Sequence, residues 1–219
     1  MRKIGILGLV GVLALVLAGC GGGGDDRVTI TGPGLVGIAD RPTVSITNPE
    51  LTVRYTIPSD LRTFTAIILS DQPTDGDIAF DPITSIYTVT KGPSAILFGI
   101  DSANSHNPEY RAFLDFPLDG STGGDVVPLN ASIVSATLKI SVNFVDFAST
   151  VPVLLDLVQY PVVTGLTFAD YSSAPLAFRS FDIFASDALN DVLIEVTSLM
   201  TEAQRRGFAD FQVRFLLGP

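Results

Sequence analysis

The chain has 219 residues, with 23 acidic and 13 basic side chains and a formal net charge of −10, a balance that argues against nucleic acid as a partner. One cysteine excludes an internal disulfide and a multi-cysteine metal cluster, and one histidine excludes a multi-histidine site. Fourteen Phe, 20 Gly and 14 Pro with no Trp describe a foldable apolar chain punctuated into short segments, the profile of an all-β sandwich or barrel.

Met1-Arg2-Lys3 is a short basic start, followed by an uncharged apolar run from Ile4 to Ala18. That run suits the hydrophobic region of an export signal and is short for a helix crossing ~30 Å of hydrocarbon. It ends in Leu17-Ala18-Gly19-Cys20, which resembles the lipobox of bacterial lipoproteins. The resemblance implies a diacylglycerol thioether on Cys20 and cleavage just before it. Residues 1–19 are then a signal peptide, and their loss removes Arg2 and Lys3, leaving a mature charge of about −12. Each buried CH₂ of an acyl chain contributes ~0.8 kcal/mol to membrane attachment. Residues 20–27 hold the lipidated Cys20 and a flexible tether, because Gly21 to Gly24 lack a Cβ. A residue other than Asp after the lipidated cysteine, here Gly21, implies the outer membrane in a Gram-negative host.

Residues 28–62 are rich in Thr and Pro. They read as extra strands of one sandwich or as a separate lead-in, with a hairpin over Val44–Ile57 turning at Asn48-Pro49-Glu50. Within them, Leu51, Val53, Tyr55 and Ile57 alternate with Thr52, Arg54 and Thr56. Strands are expected at Phe64–Ser70, Ser85–Thr90, Ala95–Ile100, Arg111–Phe116 and Val153–Tyr160. The clearest strand is Ala136–Phe144, with Ala136, Leu138, Ile140, Val142 and Phe144 on one face. Further strands follow at Val192–Thr197 and Phe211–Phe215. Loops are expected at Asp71–Asp77, Lys91–Pro93, Asp101–Pro108 and Asp119–Asp125. One short helix is expected over Ser198–Arg206, capped by Thr197 or Ser198 and closed by Gly207.

From about Ile83 to Leu217 the order of segments resembles the DNRLRE-type domains, close to carbohydrate-binding module family ninety-six and the disaggregatase-related repeats. Glu109–Leu118, Ala131–Val142, Asp191–Met200 and Gly207–Leu217 carry the resemblance. It implies a jelly-roll-like antiparallel β-sandwich over residues 63–219, serving as a non-catalytic and often glycan-associated surface module. The sequence departs from the family in reading Asp115-Phe116 in reversed order. It also stops one strand early, so residues 43–57 or another chain would have to supply an edge.

Asp101, Asn104, Glu109 and Asp115 offer oxygen atoms close in sequence, and a structural calcium is the cofactor such a set would hold, although the spacing matches no calcium-loop pattern. Asp71, Asp75, Asp77 and Asp81 share that difficulty. Tyr87, Tyr110, Tyr160 and Tyr171 are the rings expected at the surface for sugar stacking. Arg111 and Arg179 would bind acidic sugars, or more commonly pair with neighbouring carboxylates. His106 sits in a polar loop with no nucleophile arrangement around it, and no catalytic elbow or phosphate loop is present. The expected function is therefore that of a non-enzymatic envelope module attached to membrane by lipid and binding polysaccharide or extracellular matrix. The alternative is a structural or adhesive lipoprotein that binds an envelope protein by strand completion. The third and weakest reading is a polysaccharide-degrading enzyme, which would need two carboxyls ~5–9.5 Å apart.

Overall fold

The computed structural model describes residues 31–39, 48–92, 96–122 and 124–219. Cys20, the leader, the tether and the Val44–Thr47 arm of the expected hairpin lie outside the described residues. The strands are β1 (Leu35–Ile38), β2 (Glu50–Ile57), β3 (Asp60–Leu69), β4 (Gly76–Asp81), β5 (Ile86–Lys91) and β6 (Ile96–Ile100). They continue with β7 (Glu109–Pro117), β8 (Ser132–Asp146), β9 (Thr150–Val158), β10 (Ala177–Phe184), β11 (Asn190–Glu195) and β12 (Asp210–Leu217). One α-helix, α1 (Thr197–Arg206), joins the last two. The fold is all-β and sandwich-like, and every pairing between these strands is antiparallel. Among the described residues no helix is long and apolar enough to cross a membrane, a statement about helices alone.

The 15-residue β8 organises the fold. Leu138 pairs with Leu51 of β2 and Ile194 of β11, while Val142 pairs with Ile38 of β1 and Asn190 of β11. So β1 and β2 follow one another along one edge of β8, and β11 occupies the other. One layer is β3-β2-β8-β11, the other is β5-β4-β7-β12-β9-β10, and β6 with β1 connects β7 to β8. Strands from residues 28–62 are thus woven into the same sheet as the rest. The hairpin partner of β2 is β3, through Pro58-Ser59, and Pro49 only precedes the strand. The edge beside β12 is filled, since that strand lies between β7 and β9.

The alternation of β8 has the expected consequence: Ala136, Leu138, Ile140 and Val142 are buried against Leu51, Val53, Ile68 and residues of the facing layer. Phe98, Phe116, Phe211 and Phe215 fill the centre, with the Phe98 and Phe215 rings 5.5 Å apart. Burying each such ring stabilises the fold by about 1.5–3 kcal/mol. Gly99, at φ +111°, lets β6 cross under Gly34, because a Cβ there would lie 2.0 Å from the Gly34 carbonyl oxygen.

The α1 helix presents Leu199, Met200 and Ala203 to this core, and Gly207 closes it at φ +70°. Its start differs from expectation. Thr197 Oγ1 accepts the Ala136 N–H of β8 at 2.8 Å, and Glu195 Oε1 accepts the Thr197 N–H at 2.8 Å. The hydroxyl is drawn to the sheet because β8 has an unpaired amide just beyond the end of β11.

On β12, Gln212 and Arg214 alternate with apolar residues and yet are buried. The reason is a strap, residues 159–175, that covers the outer face of β4, β7, β12 and β9. Beneath it Ile78, Phe113, Val158, Tyr160, Leu166 and Tyr171 form a second core. Arg214 donates to Asp156 Oδ2 at 2.5 Å and to the carbonyls of Asp170 at 3.1 Å and Tyr171 at 3.0 Å. Arg111 also donates to the Tyr171 carbonyl, at 2.6 Å. Two arginines therefore fix the strap by its backbone, satisfying carbonyls that burial would otherwise leave unpaired.

Candidate functional site

The β4–β5 ribbon extends beyond the edge of β7 and has two usable faces. Pairing of Phe80 with Tyr87 and of Ala79 with Thr88 sets the alternation. Phe80, Tyr87, Ile78 and Val89 face the strap, whereas Ala79, Asp81, Thr88 and Thr90 face the opposite way, as does Tyr110 opposite Ala79.

On the second face lies a cleft of about 220 Å³, lined by Ala79, Asp81, Ile86, Thr88, Thr90, Asn104, Pro108 and Tyr110. Its far wall is the loop 101–108, shaped by its own side chains. Asp101 Oδ1 accepts the N–H groups of Ala103 at 3.0 Å and Asn104 at 3.3 Å. Asn104 Oδ1 accepts the His106 N–H at 3.0 Å. His106 Nδ1 lies 2.7 Å from Asp81 Oδ2, which ties this loop to the β4–β5 turn. The His106 contact, aided by the Ile83 and Thr84 amides, holds the Asp81 carboxyl well below the usual carboxylate range. The single histidine thus acts as a strut, and Asp81 presents a fixed negative charge at the cleft.

The oxygens expected around a calcium ion are not brought together. Asp101 and Asn104 shape their loop, Glu109 accepts the Arg111 Nε–H at 2.9 Å, and Asp115 lies six residues along β7. Six steps along the strand put about 20 Å between Glu109 and Asp115. Among the described residues there is no group of three His, Cys, Asp or Glu suited to a metal ion.

Of the four tyrosines, Tyr87 is exposed and Tyr110 is half-buried in the cleft. Tyr160 and Tyr171 are buried, contrary to the surface role expected of them, because the strap carries them inward. Tyr160 meets Phe113 edge-on at 5.9 Å, and burial raises both phenols above their ordinary pKa. Tyr171 packs edge-on against Tyr87 at 5.2 Å and under Arg111 at 3.9 Å, and Phe168 lies 6.3 Å from Tyr87. Tyr87, Tyr171 and Arg111 are therefore brought together, but Arg111 is engaged by Glu109, the Tyr171 carbonyl and the Tyr171 ring. Arg179 stands apart, paired with Glu195.

Sequence reasoning missed Asp81, Thr88 and Thr90 as a set. The signal was the Thr88-Val89-Thr90 alternation, hidden because β4 was read partly as loop. It also missed a buried acid group: Asp75, Asp77 and Asp115 are all buried where β4 meets β7. Asp75 Oδ1 accepts the Asp115 N–H at 2.7 Å, and Asp77 Oδ2 accepts the Leu97 N–H at 3.1 Å. Burial, then the neighbouring Asp210 charge, pushes the Asp115 carboxyl up to about 7, and burial pushes that of Asp77 up to about 6.

Comparison of the chain with protein-family models, curated proteins and solved structures returns no match.

Proposed function

We propose that the protein is a non-catalytic, lipid-anchored module of the cell envelope that binds glycan in the cleft beside β4 and β5. The observation that carries this reading is the lining of the cleft. Thr88, Thr90, Asn104 and Asp81 supply donors and acceptors, while Tyr110, Ile86 and Pro108 supply apolar surface. A sugar ring presents both hydroxyls and C–H faces, and this mixture answers both. The volume of about 220 Å³ falls below the ~300 Å³ at which drug-sized pockets begin, so the cleft suits one ring or a chain end. The DNRLRE-type resemblance of residues 83–217 carries the same expectation. Acyl chains on Cys20 would hold the module at the membrane.

A glycan array probed with the detergent-solubilised full chain tests the proposal. Binding to a restricted set of sugars, weakened at least tenfold by Tyr110→Ala and by Asn104→Ala, is expected. No sugar signal, or binding indifferent to both changes, would overturn it.

One observation favours the structural alternative. Among the described residues β10 ends its layer with one edge unpaired, and its Phe178 is exposed. Such an edge can accept a strand from a protein partner.

A further inference from the structure

We infer that the end of the sandwich from which the tether leaves rests against the bilayer, with Phe147, Phe184 and Leu189 seated at the boundary between headgroups and acyl chains. The inference rests on the acylation of Cys20.

The path of the chain supplies the first argument. Thr31 makes a parallel bridge to Thr150, and the Gly32 N–H donates to the Thr150 carbonyl at 3.3 Å. Because the bridge is parallel, Thr31 and Gly32 run in the same direction as β9, and Thr31 lies on the side of the residues that precede Thr150, the β8–β9 turn at Phe147–Ser149. Ten residues, 21–30, lie between Cys20 and Thr31. Eleven chain steps can reach no more than about 40 Å. This end of the sandwich is therefore the one held near the membrane.

The same end carries large apolar side chains in water. Phe147 is 47% exposed, Phe184 46% and Leu189 80%. Phe184 pairs with Thr150, the Ala185 N–H donates to the Ser149 carbonyl at 2.9 Å, and the Leu189 N–H donates to that of Val142 at 2.7 Å. Phe147 and Phe184 thus flank the point where β8 ends and β9 begins, and Leu189 lies beside Val142, four residues before the end of β8.

Backbone conformation supplies a third argument. Phe147 at φ +67° and Leu189 at φ +63° occupy the left-handed region, where turns ordinarily place Gly or Asn. A large apolar residue there opposes folding twice, through backbone strain and through exposed hydrocarbon. A bilayer removes the second cost, which gives these side chains a reason to occupy positions that turn chemistry would assign otherwise.

The surrounding charge selects the headgroup. Exposed Asp146, Asp182 and Asp191 lie near these residues, and Asp187 accepts the Phe184 N–H at 2.8 Å. Anionic lipid would be repelled, so the surface addressed is zwitterionic.

The absence of Trp makes a clean test available. The full chain, processed and acylated, is placed in phosphatidylcholine vesicles as Phe147→Trp, Leu189→Trp or Leu129→Trp. The exposed Leu129 serves as the control, because it precedes the other end of β8, a strand about 50 Å long. Indoles at 147 and 189 are expected to emit at shorter wavelength and to be quenched at least twofold by lipids brominated in mid-chain. The indole at 129 is expected to stay unquenched. Adding phosphatidylglycerol should weaken quenching at 147 and 189. Protein that floats with the vesicles while both indoles report water would overturn this inference and leave the anchor standing. Protein that fails to float would overturn the anchor and the inference together.

Discussion

Replacing Asp115 by Asn should stabilise the protein above neutral pH and remove most of a pH dependence built into the β4–β7 junction. Asp115 is fully buried, and its carboxyl is raised from 3.8 to about 7, first by burial and next by Asp210. Thr74 and Gln212, beside it, hold the value down. A carboxyl raised in the folded state binds a proton that the unfolded chain has already lost. Its stabilising contribution is complete below the unfolded value near 4 and disappears as pH rises through 7. The difference of about three pH decades, at 1.36 kcal/mol each, corresponds to on the order of 4 kcal/mol withdrawn between pH 4 and pH 8. Asp77, raised to about 6, adds a smaller loss in the same direction. Carboxyls held low, such as Asp81 and Glu202, act in the opposite sense, and their contributions are lost only as pH falls below about 4. Between pH 5 and pH 8 the buried pair should dominate. Urea titrations of the far-ultraviolet circular dichroism at pH 4, 5, 6, 7 and 8 should show wild-type stability falling across this range. Asp115→Asn should match the wild type at pH 4 within about 1 kcal/mol and exceed it by several kcal/mol at pH 8. A wild-type stability that rises from pH 5 to pH 8, or parallel profiles for the two proteins, would refute the reasoning.

Arg214→Met should cost about 3–5 kcal/mol by leaving Asp156 charged and unpaired beneath the strap, and urea denaturation measures it. The same change should make residues 159–175 a site of early proteolysis, whereas Arg214→Met combined with Asp156→Leu should recover most of the stability. Gly99→Ala should destabilise by more than about 2 kcal/mol, since its Cβ would collide with the Gly34 carbonyl at 2.0 Å; a melt unchanged within error would contradict that geometry. Phe215→Ala, in the centre of the main core, should cost about 3–5 kcal/mol in the same assay.

Much of the sandwich was legible because one period carries the information. In β2, β8 and β12 apolar residues recur at every second position, and these strands form where the alternation places them. The alternation did not reveal that Gln212 and Arg214 face the strap, because a second covering layer leaves no mark on a strand whose buried polar groups have partners. β10 went unread since Phe178, Phe181, Ile183 and Phe184 do not keep a period of two, as an edge strand with partly wet faces need not. β4 was masked by its Asp and Gly residues, which suggest a loop until burial shows Asp77 paired inside. The cleft was less legible still. Asn104 and Tyr110 were singled out, for different purposes and in different sets, and only the pairing of β4 with β5 and β7 joins them to Asp81, Thr88 and Thr90. Distance along the chain hid the His106–Asp81 contact for the same reason, since the two stand 25 positions apart.

Acylation of Cys20, as proposed, would decide where the sandwich works and which of its ends meets the membrane. The most direct measurement is the mass of the N-terminal peptide of the protein purified from its native membrane. A peptide beginning at Cys20 and carrying a diacylglycerol thioether is the predicted result. A free thiol at Cys20, or an intact Met1–Gly19 leader, would contradict the account.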